Sequence, residues 1–138
     1  MHTTASFDIP VPPDRVVAYL SRPRNLLIAN HVGPVIEQSD PPVRRGSWSV
    51  HQFDQLRVRV EYIALERDEV AVAISSTGRG SGGVNGSFRY WLAPVDASRG
   101  TRVSVEAETP RGLIRDPIGR LLWPLLWHRI RDRMAREA

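Results

Sequence analysis

Apolar and polar residues alternate along most of the chain, which is the pattern of strands that bury one face. From Leu56 to Tyr62 every second residue is apolar, and the residues between them are two arginines and a glutamate. Short polar connections such as Arg67-Asp68 separate such runs and favour hairpins. The pattern predicts an antiparallel sheet of about seven strands with one apolar face. The predicted strands occupy residues 3–10, 35–36, 46–53, 56–62, 70–74, 84–92 and 102–108.

Helical spacing predicts two short helices after the first strand and a long helix at the C-terminus. Pro12-Pro13-Asp14 opens the first short helix, since proline suits the first helical turn and an acidic residue complements the helix dipole. The second covers residues 23–30. Residues 111–137 carry an apolar stripe that is wider in its first half than packing on one sheet requires. This width predicts that the first half of the long helix is deeply buried. We expect Pro124 to kink this helix or to start a new segment after Trp123.

Composition indicates one ordinary globular domain spanning residues 1–138. The chain has 41% hydrophobic and 25% charged residues and no cysteine, so disulfides and thiolate ligands are excluded. The first residues show no signal peptide, and the apolar run 121–127 is far shorter than the ~20 residues of a membrane span. We therefore expect a cytoplasmic protein. A helix rich in tryptophan, leucine and arginine could also rest on a membrane surface, an alternative that weakens if those side chains pack under the sheet.

The net charge of +4 does not indicate a nucleic-acid-binding protein. All nineteen basic residues are arginines, whose high pKa inflates the calculated isoelectric point of about 10.6. Nucleic-acid-binding proteins cluster their basic residues on one face, whereas here the arginines are spread along the whole chain. We expect no nucleic-acid partner.

Four short motifs resemble the START/Bet v 1-like (SRPBCC) superfamily, and in particular its polyketide cyclase/dehydrase-like proteins. Residues 7–16 (FDIPVPPDRV) resemble its first strand running into the first helix, and residues 21–26 (SRPRNL) resemble its second helix. Residues 46–48 (GSW) and 100–103 (GTRV) resemble the starts of its third and last strands. The tryptophan that often ends the second helix is absent, since residues 28–31 read IANH.

The resemblance implies an α+β helix-grip fold, in which a curved antiparallel sheet and a long C-terminal helix enclose an apolar cavity. It also implies that the protein binds an apolar small molecule that is lipid-like, aromatic or polyketide-like. It implies no particular chemistry, because this fold hosts carriers, sensors and enzymes. The first alternative is an enzyme of the polyketide aromatase/cyclase or dehydratase type, and the second is a small regulatory partner whose cavity has collapsed. Whether the chain is an enzyme stays open at this point, as does its oligomeric state.

Three residues could supply acid–base chemistry in that cavity. Tyr62 and Tyr90 lie on the inward register of their strands, and His31 follows the second helix near the expected pocket mouth. The simpler interpretations are amphipathic core tyrosines and an exposed loop histidine. The predicted ligand contacts are Trp48, Val60, Tyr62, Ile74, Phe88, Tyr90, Leu122, Leu126 and Ile130.

The remaining motifs favour no cofactor and no metal. The glycines of residues 78–83 match G-x-G-x-x-G, but a strand follows them where a dinucleotide site needs a helix. The four histidines lack metal-ligand spacing. We expect His51 to point outward, and we expect Arg59 and Arg89 to form surface ion pairs with Glu61 or Glu106.

Overall fold

In the part of the chain that the structure describes, seven antiparallel strands form one curved, open sheet in the order β1-β7-β6-β5-β4-β3-β2. The computed structural model describes residues 2–26, 35–53, 56–77, 85–95, 99–108 and 116–138. The predicted sheet and its antiparallel pairing are confirmed. The strands are β1 (His2–Ile9), β2 (Val35–Gln38), β3 (Trp48–Phe53), β4 (Leu56–Leu65), β5 (Glu69–Thr77), β6 (Asn85–Val95) and β7 (Gly100–Glu108).

The first helix, α1 (Pro13–Leu20), begins where the sequence predicts it, with proline in its first turn and Asp14 beside it. The chain then forms a 3₁₀ turn over Pro23–Asn25. The predicted second helix extended to residue 30, and its last four residues lie outside the described part of the chain.

One face of the sheet, here called the inner face, carries most of the core. Residues directly opposite each other on neighbouring strands point to the same side, so the register identifies its members. Val60 faces Ile74 across β4 and β5, and Tyr90 faces Val105 across β6 and β7. Together with the buried residues of α1, they form one apolar cluster. The inner face comprises Ser49, His51, Val58, Val60, Tyr62, Val70, Val72, Ile74, Gly86, Phe88, Tyr90, Leu92, Thr101, Val103, Val105 and Ala107, with alternate residues of β1.

The C-terminal helix, α2 (Asp116–Glu137), is continuous over 22 residues. Of the two effects expected of Pro124, the start of a new segment after Trp123 is therefore wrong, and a kink at Pro124 stays a prediction. Trp127 and Met134 are buried in the core cluster and Ile130 packs against it, so this face of the helix covers the sheet. Within the described residues, no helix is both long and apolar enough to span a membrane.

The third strand presents its side chains in the opposite sense to the one expected. The Gly46 N–H donates to the Tyr62 carbonyl, and the Tyr62 N–H donates to the Ser47 carbonyl. Gly46 has φ of +91°, a conformation that favours glycine. This start sets a register in which Trp48 faces Glu61 on the outer side and His51 faces Val58 on the inner side. The expected orientations of Trp48 and His51 are both wrong, because pairing with β4 overrides the apolar pattern of β3 itself.

Candidate ligand-binding site

Among the residues of β3, β4 and β5 whose side chains are described, the inner face is apolar apart from one pair of polar residues. Val58, Val60 and Ile74 are buried there, and Ile74 faces Gly86 on β6. Because glycine has no side chain, position 86 places none beside Ile74 on this side of the sheet. Over the described ranges, no charged residue belongs to the inner face of these three strands. The surface is suited to an uncharged, apolar molecule.

The helices approach the opposite end of the sheet. The main backbone approaches run from α2 to β1 and from α1 to β6 and β7, and α1 also meets α2. The β3–β5 surface, defined as Ser49, His51, Val58, Val60 and Ile74, therefore lies away from the closest helix–sheet packing that is described. This division of the inner face makes the β3–β5 surface the candidate site.

Tyr62 and Tyr90 point inward as predicted, and their hydroxyl groups donate to the ends of the helical segments. The Tyr62 hydroxyl donates to the carbonyl of Leu20, the last residue of α1, at 2.6 Å. The Tyr90 hydroxyl donates to the Leu26 carbonyl over a long 3.5 Å. The last carbonyls of a helix have no partner within the helix, so these phenols attach the helical segments to the sheet.

Burial raises the pKa of Tyr62, Tyr90 and Tyr19, and the neighbouring Tyr90 raises that of Tyr62 further. A phenol with a raised pKa stays protonated at physiological pH and acts as a hydrogen-bond donor. Tyr62 and Tyr90 are therefore donors whose hydroxyl protons are held by backbone carbonyls. This arrangement favours the structural interpretation of both residues over proton transfer.

We expect Tyr62→Phe to lower the free energy of unfolding by about 1–3 kcal/mol, because it leaves the buried Leu20 carbonyl without its 2.6 Å donor. Tyr90→Phe is the matched control, since it removes the same atom from a bond of 3.5 Å. Urea unfolding of the two variants measures the difference. An equal loss in both would contradict the helix-anchoring role of Tyr62.

Ser49 and His51 form the polar pair of the site. Their relative exposures are 1% and 2%, and the Ser49 Oγ lies 2.8 Å from His51 Nε2. The two residues are neighbours on one face because side chains alternate along a strand. Burial lowers the pKa of His51 below the ordinary 6.5, so the ring is neutral at physiological pH. The sequence did not reveal this pair. Its inward orientation follows from the β3–β4 register, in which Ser49 lies opposite Val60 and His51 lies opposite Val58.

The lowered pKa of His51 predicts a stability that falls on acidification. Below pH 6.5 the unfolded chain takes up a proton that the folded protein resists, so stability is present above that pH and is lost as the pH falls through it. We expect the decrease in melting temperature between pH 7.5 and 5.5 to be smaller in His51→Leu than in the unsubstituted protein. His128→Gln, at an exposed position, should leave the decrease unchanged. The idea fails if His51→Leu shows the same decrease.

The outer surface contains one cluster that the sequence did not predict. His2, Glu106 and Glu108 each place a possible ligand atom within 4.8 Å of the others, and His2 Nε2 lies 3.0 Å from the Glu106 carboxylate. All three lie on the face of β1 and β7 opposite the candidate site. They are at most partly buried, which is common for surface ion pairs, and they contribute nothing to the β3–β5 surface.

The ion pairs expected for Arg59 and Arg89 are partly confirmed. Arg59 pairs with Glu61 at 3.5 Å, and its guanidinium lies 5.3 Å from the Trp48 ring. Arg89 pairs with Glu69, a partner that was not expected. Trp48 is thus part of a cation–π contact on the outer face, and we withdraw it from the predicted ligand contacts.

The structure brings together five of the predicted contacts on the inner face: Val60, Tyr62, Ile74, Phe88 and Tyr90. Ile130 lies half-buried on α2 against the same core. The side chains of Leu122 and Leu126, like His31 and the glycine-rich residues 78–83, lie outside the described residues.

Comparisons with known proteins bear on the family and the fold of the chain. A family model described as "Polyketide cyclase / dehydrase and lipid transport" matches residues 1–137. Protein CV1439 from Chromobacterium violaceum has a similar structure, with TM-score 0.64 and 16% identity over 97% of this chain and 96% of its own. Ara h 8.0201 is similar with TM-score 0.65 and 15% identity over 99% of both chains. No curated protein sequence matches this chain.

A third similar structure comes from a biosynthetic locus. DynU16, a protein of the dynemicin biosynthetic locus, has TM-score 0.63 and 22% identity over 98% of this chain, which spans 46% of DynU16. At these identities the structures bear on the fold alone. They confirm the predicted START/Bet v 1-like helix-grip fold.

Proposed function

Because the chain belongs to the polyketide cyclase / dehydrase and lipid transport family, we propose that it binds one apolar small molecule between the inner face of its sheet and α2. Family and fold support hydrophobic ligand binding in general. The ligand class stays broad in this proposal: lipid-like, aromatic or polyketide-like.

The observation that carries the proposal is the β3–β5 surface. It is apolar apart from Ser49 and His51, has no charged residue within the described ranges, and lies away from the closest described helix packing. Gly86 has no side chain to fill the proposed space beside Ile74, where a larger residue would cover the sheet surface. A surface of this composition would favour a ligand by about 25 cal/mol for each Å² of apolar area removed from water.

The proposed contacts are apolar side chains on both sides of that space. On the sheet they are Val60, Ile74 and Phe88, which the register places on one face. On α2 they are Leu122, Leu126 and Ile130, which follow one helical stripe. Tyr62 and Tyr90 contribute ring surface, since their hydroxyl groups are held by backbone carbonyls.

The aromatase/cyclase alternative receives less support from the described residues. It requires Tyr62 or Tyr90 to exchange a proton with a substrate, and both phenols already donate to the helical segments. Its third residue, His31, lies outside the described part. A binding role requires only the apolar surface.

A cytoplasmic location and the lack of a nucleic-acid partner remain expectations from the sequence.

Titration with Nile red, an uncharged dye whose emission shifts to the blue in apolar surroundings, tests the proposal. We expect saturable binding of about one dye per chain to the folded protein, with loss of the signal at the cooperative melting transition. Emission that stays as in water, or that rises without saturation, would contradict an internal site.

A further inference from the structure

The third strand places its polar side chains where its neighbours place apolar ones. Ser49 and His51 face the apolar interior, while Trp48 and Val50 face outward. Val50 is itself buried, with 8% exposure, so β3 buries residues of both faces and turns the polar ones toward the apolar interior, opposite to the usual pattern. Departures of this kind are expected where a site needs polar groups inside an apolar surface.

A buried polar side chain costs free energy unless it is hydrogen-bonded, and here each member of the pair bonds the other. The Ser49 Oγ and His51 Nε2 satisfy each other at 2.8 Å. A neutral imidazole has a second ring nitrogen, Nδ1, and a hydroxyl has further lone pairs. The pair can therefore form another hydrogen bond to a molecule that lies on the β3–β5 surface.

We propose that the Ser49–His51 pair recognises a hydroxyl group on the apolar ligand, a role that rests on the proposed function. A hydroxyl both donates and accepts, so it matches His51 whichever ring nitrogen carries the proton. An ionised ligand is disfavoured, because the inner face of β3, β4 and β5 offers no counter-charge among the described residues. The ligand class that fits is a neutral alcohol or phenol with an apolar body.

Two probes of nearly equal shape, 2-naphthol and 2-methylnaphthalene, isolate the hydroxyl group. Dissociation constants for both are measured with the unsubstituted protein and with His51→Leu, which keeps most of the side-chain volume. We expect the preference for 2-naphthol, expressed as the ratio of the two constants, to fall about 3- to 10-fold in His51→Leu. Ser49→Ala should reduce the ratio in the same direction. Ser104→Ala, at an outward position of β7, should leave it unchanged.

A measurement on the unsubstituted protein makes the test independent of how well His51→Leu folds. In ¹⁵N NMR spectra, 2-naphthol should shift a ring nitrogen of His51 and 2-methylnaphthalene should not. Binding of both probes with an unchanged ratio in the variants, or with no selective shift of His51, overturns the hydroxyl recognition and leaves apolar binding standing. Failure of both probes to bind the unsubstituted protein overturns the proposed function and the recognition with it.

Discussion

Replacing Ile74 by tryptophan should lower the affinity for an apolar ligand about tenfold or more while the protein stays folded. Ile74 lies on the inner face beside Val60 and opposite Gly86, so an indole at this position would extend into the proposed cavity. A tenfold loss corresponds to about 1.4 kcal/mol, less than the burial of two methylene groups at ~0.8 kcal/mol each. A tenfold loss of affinity therefore requires only that the indole keep a small part of the ligand out of the cavity.

The stability of the same variant distinguishes a cavity from a solid core. If the space beside Ile74 is open, the indole fills it and the free energy of unfolding stays the same or rises. If the core is already packed, the larger side chain costs about 1–3 kcal/mol. The matched control is Ala73→Trp, whose side chain belongs to the outer face opposite Glu61. Dye titration and urea unfolding of the two variants provide both numbers, and equal affinity losses would contradict the assignment of the site.

Met134→Ala should lower the free energy of unfolding by about 2–5 kcal/mol, the range for removing a large buried side chain. Met134 is 1% exposed and belongs to the core cluster together with Trp127. The described end of α2 is otherwise rich in charged residues, so its docking depends on this face. Most helical stability in proteins comes from such packing rather than from intrinsic propensity.

The control for this second prediction is Arg129→Ala, at an exposed position on the same helix. Exposed substitutions away from special features usually change stability by less than about 0.5 kcal/mol. Urea unfolding followed by circular dichroism measures both variants. Similar values for Met134→Ala and Arg129→Ala would mean that α2 does not hold the sheet through Met134.

The sequence predicted the sheet well where one strand alone carries the information. In β4, strict alternation from Leu56 to Tyr62 indicated both the strand and its inner face, and the structure agrees. In β3, the apolar residues Trp48 and Val50 indicated the wrong face, because its orientation depends on pairing with β4. Periodicity within a strand does not contain that long-range information.

In the candidate site, too, the sequence predicted what one strand determines and missed what depends on contacts between distant segments. The inward positions of Tyr62 and Tyr90 followed from periodicity, but their hydrogen bonds to Leu20 and Leu26 depend on how the helices lie on the sheet. The Ser49–His51 pair was missed because it depends on the inverted orientation of β3. Contacts between residues distant in sequence are fixed by the tertiary structure. A single sequence therefore predicts which residues could line a site, but not which of them contact one another.

The central claim is that an apolar ligand occupies the space over the β3–β5 surface, and intermolecular NMR contacts test it most directly. With the protein saturated by 2-methylnaphthalene, we predict nuclear Overhauser effects from the probe to the methyl groups of Val58, Val60 and Ile74. The outer-face methyl groups of Val50 should show none. Saturable binding without contacts to those three inner residues, or with contacts to Val50 instead, would contradict the claim.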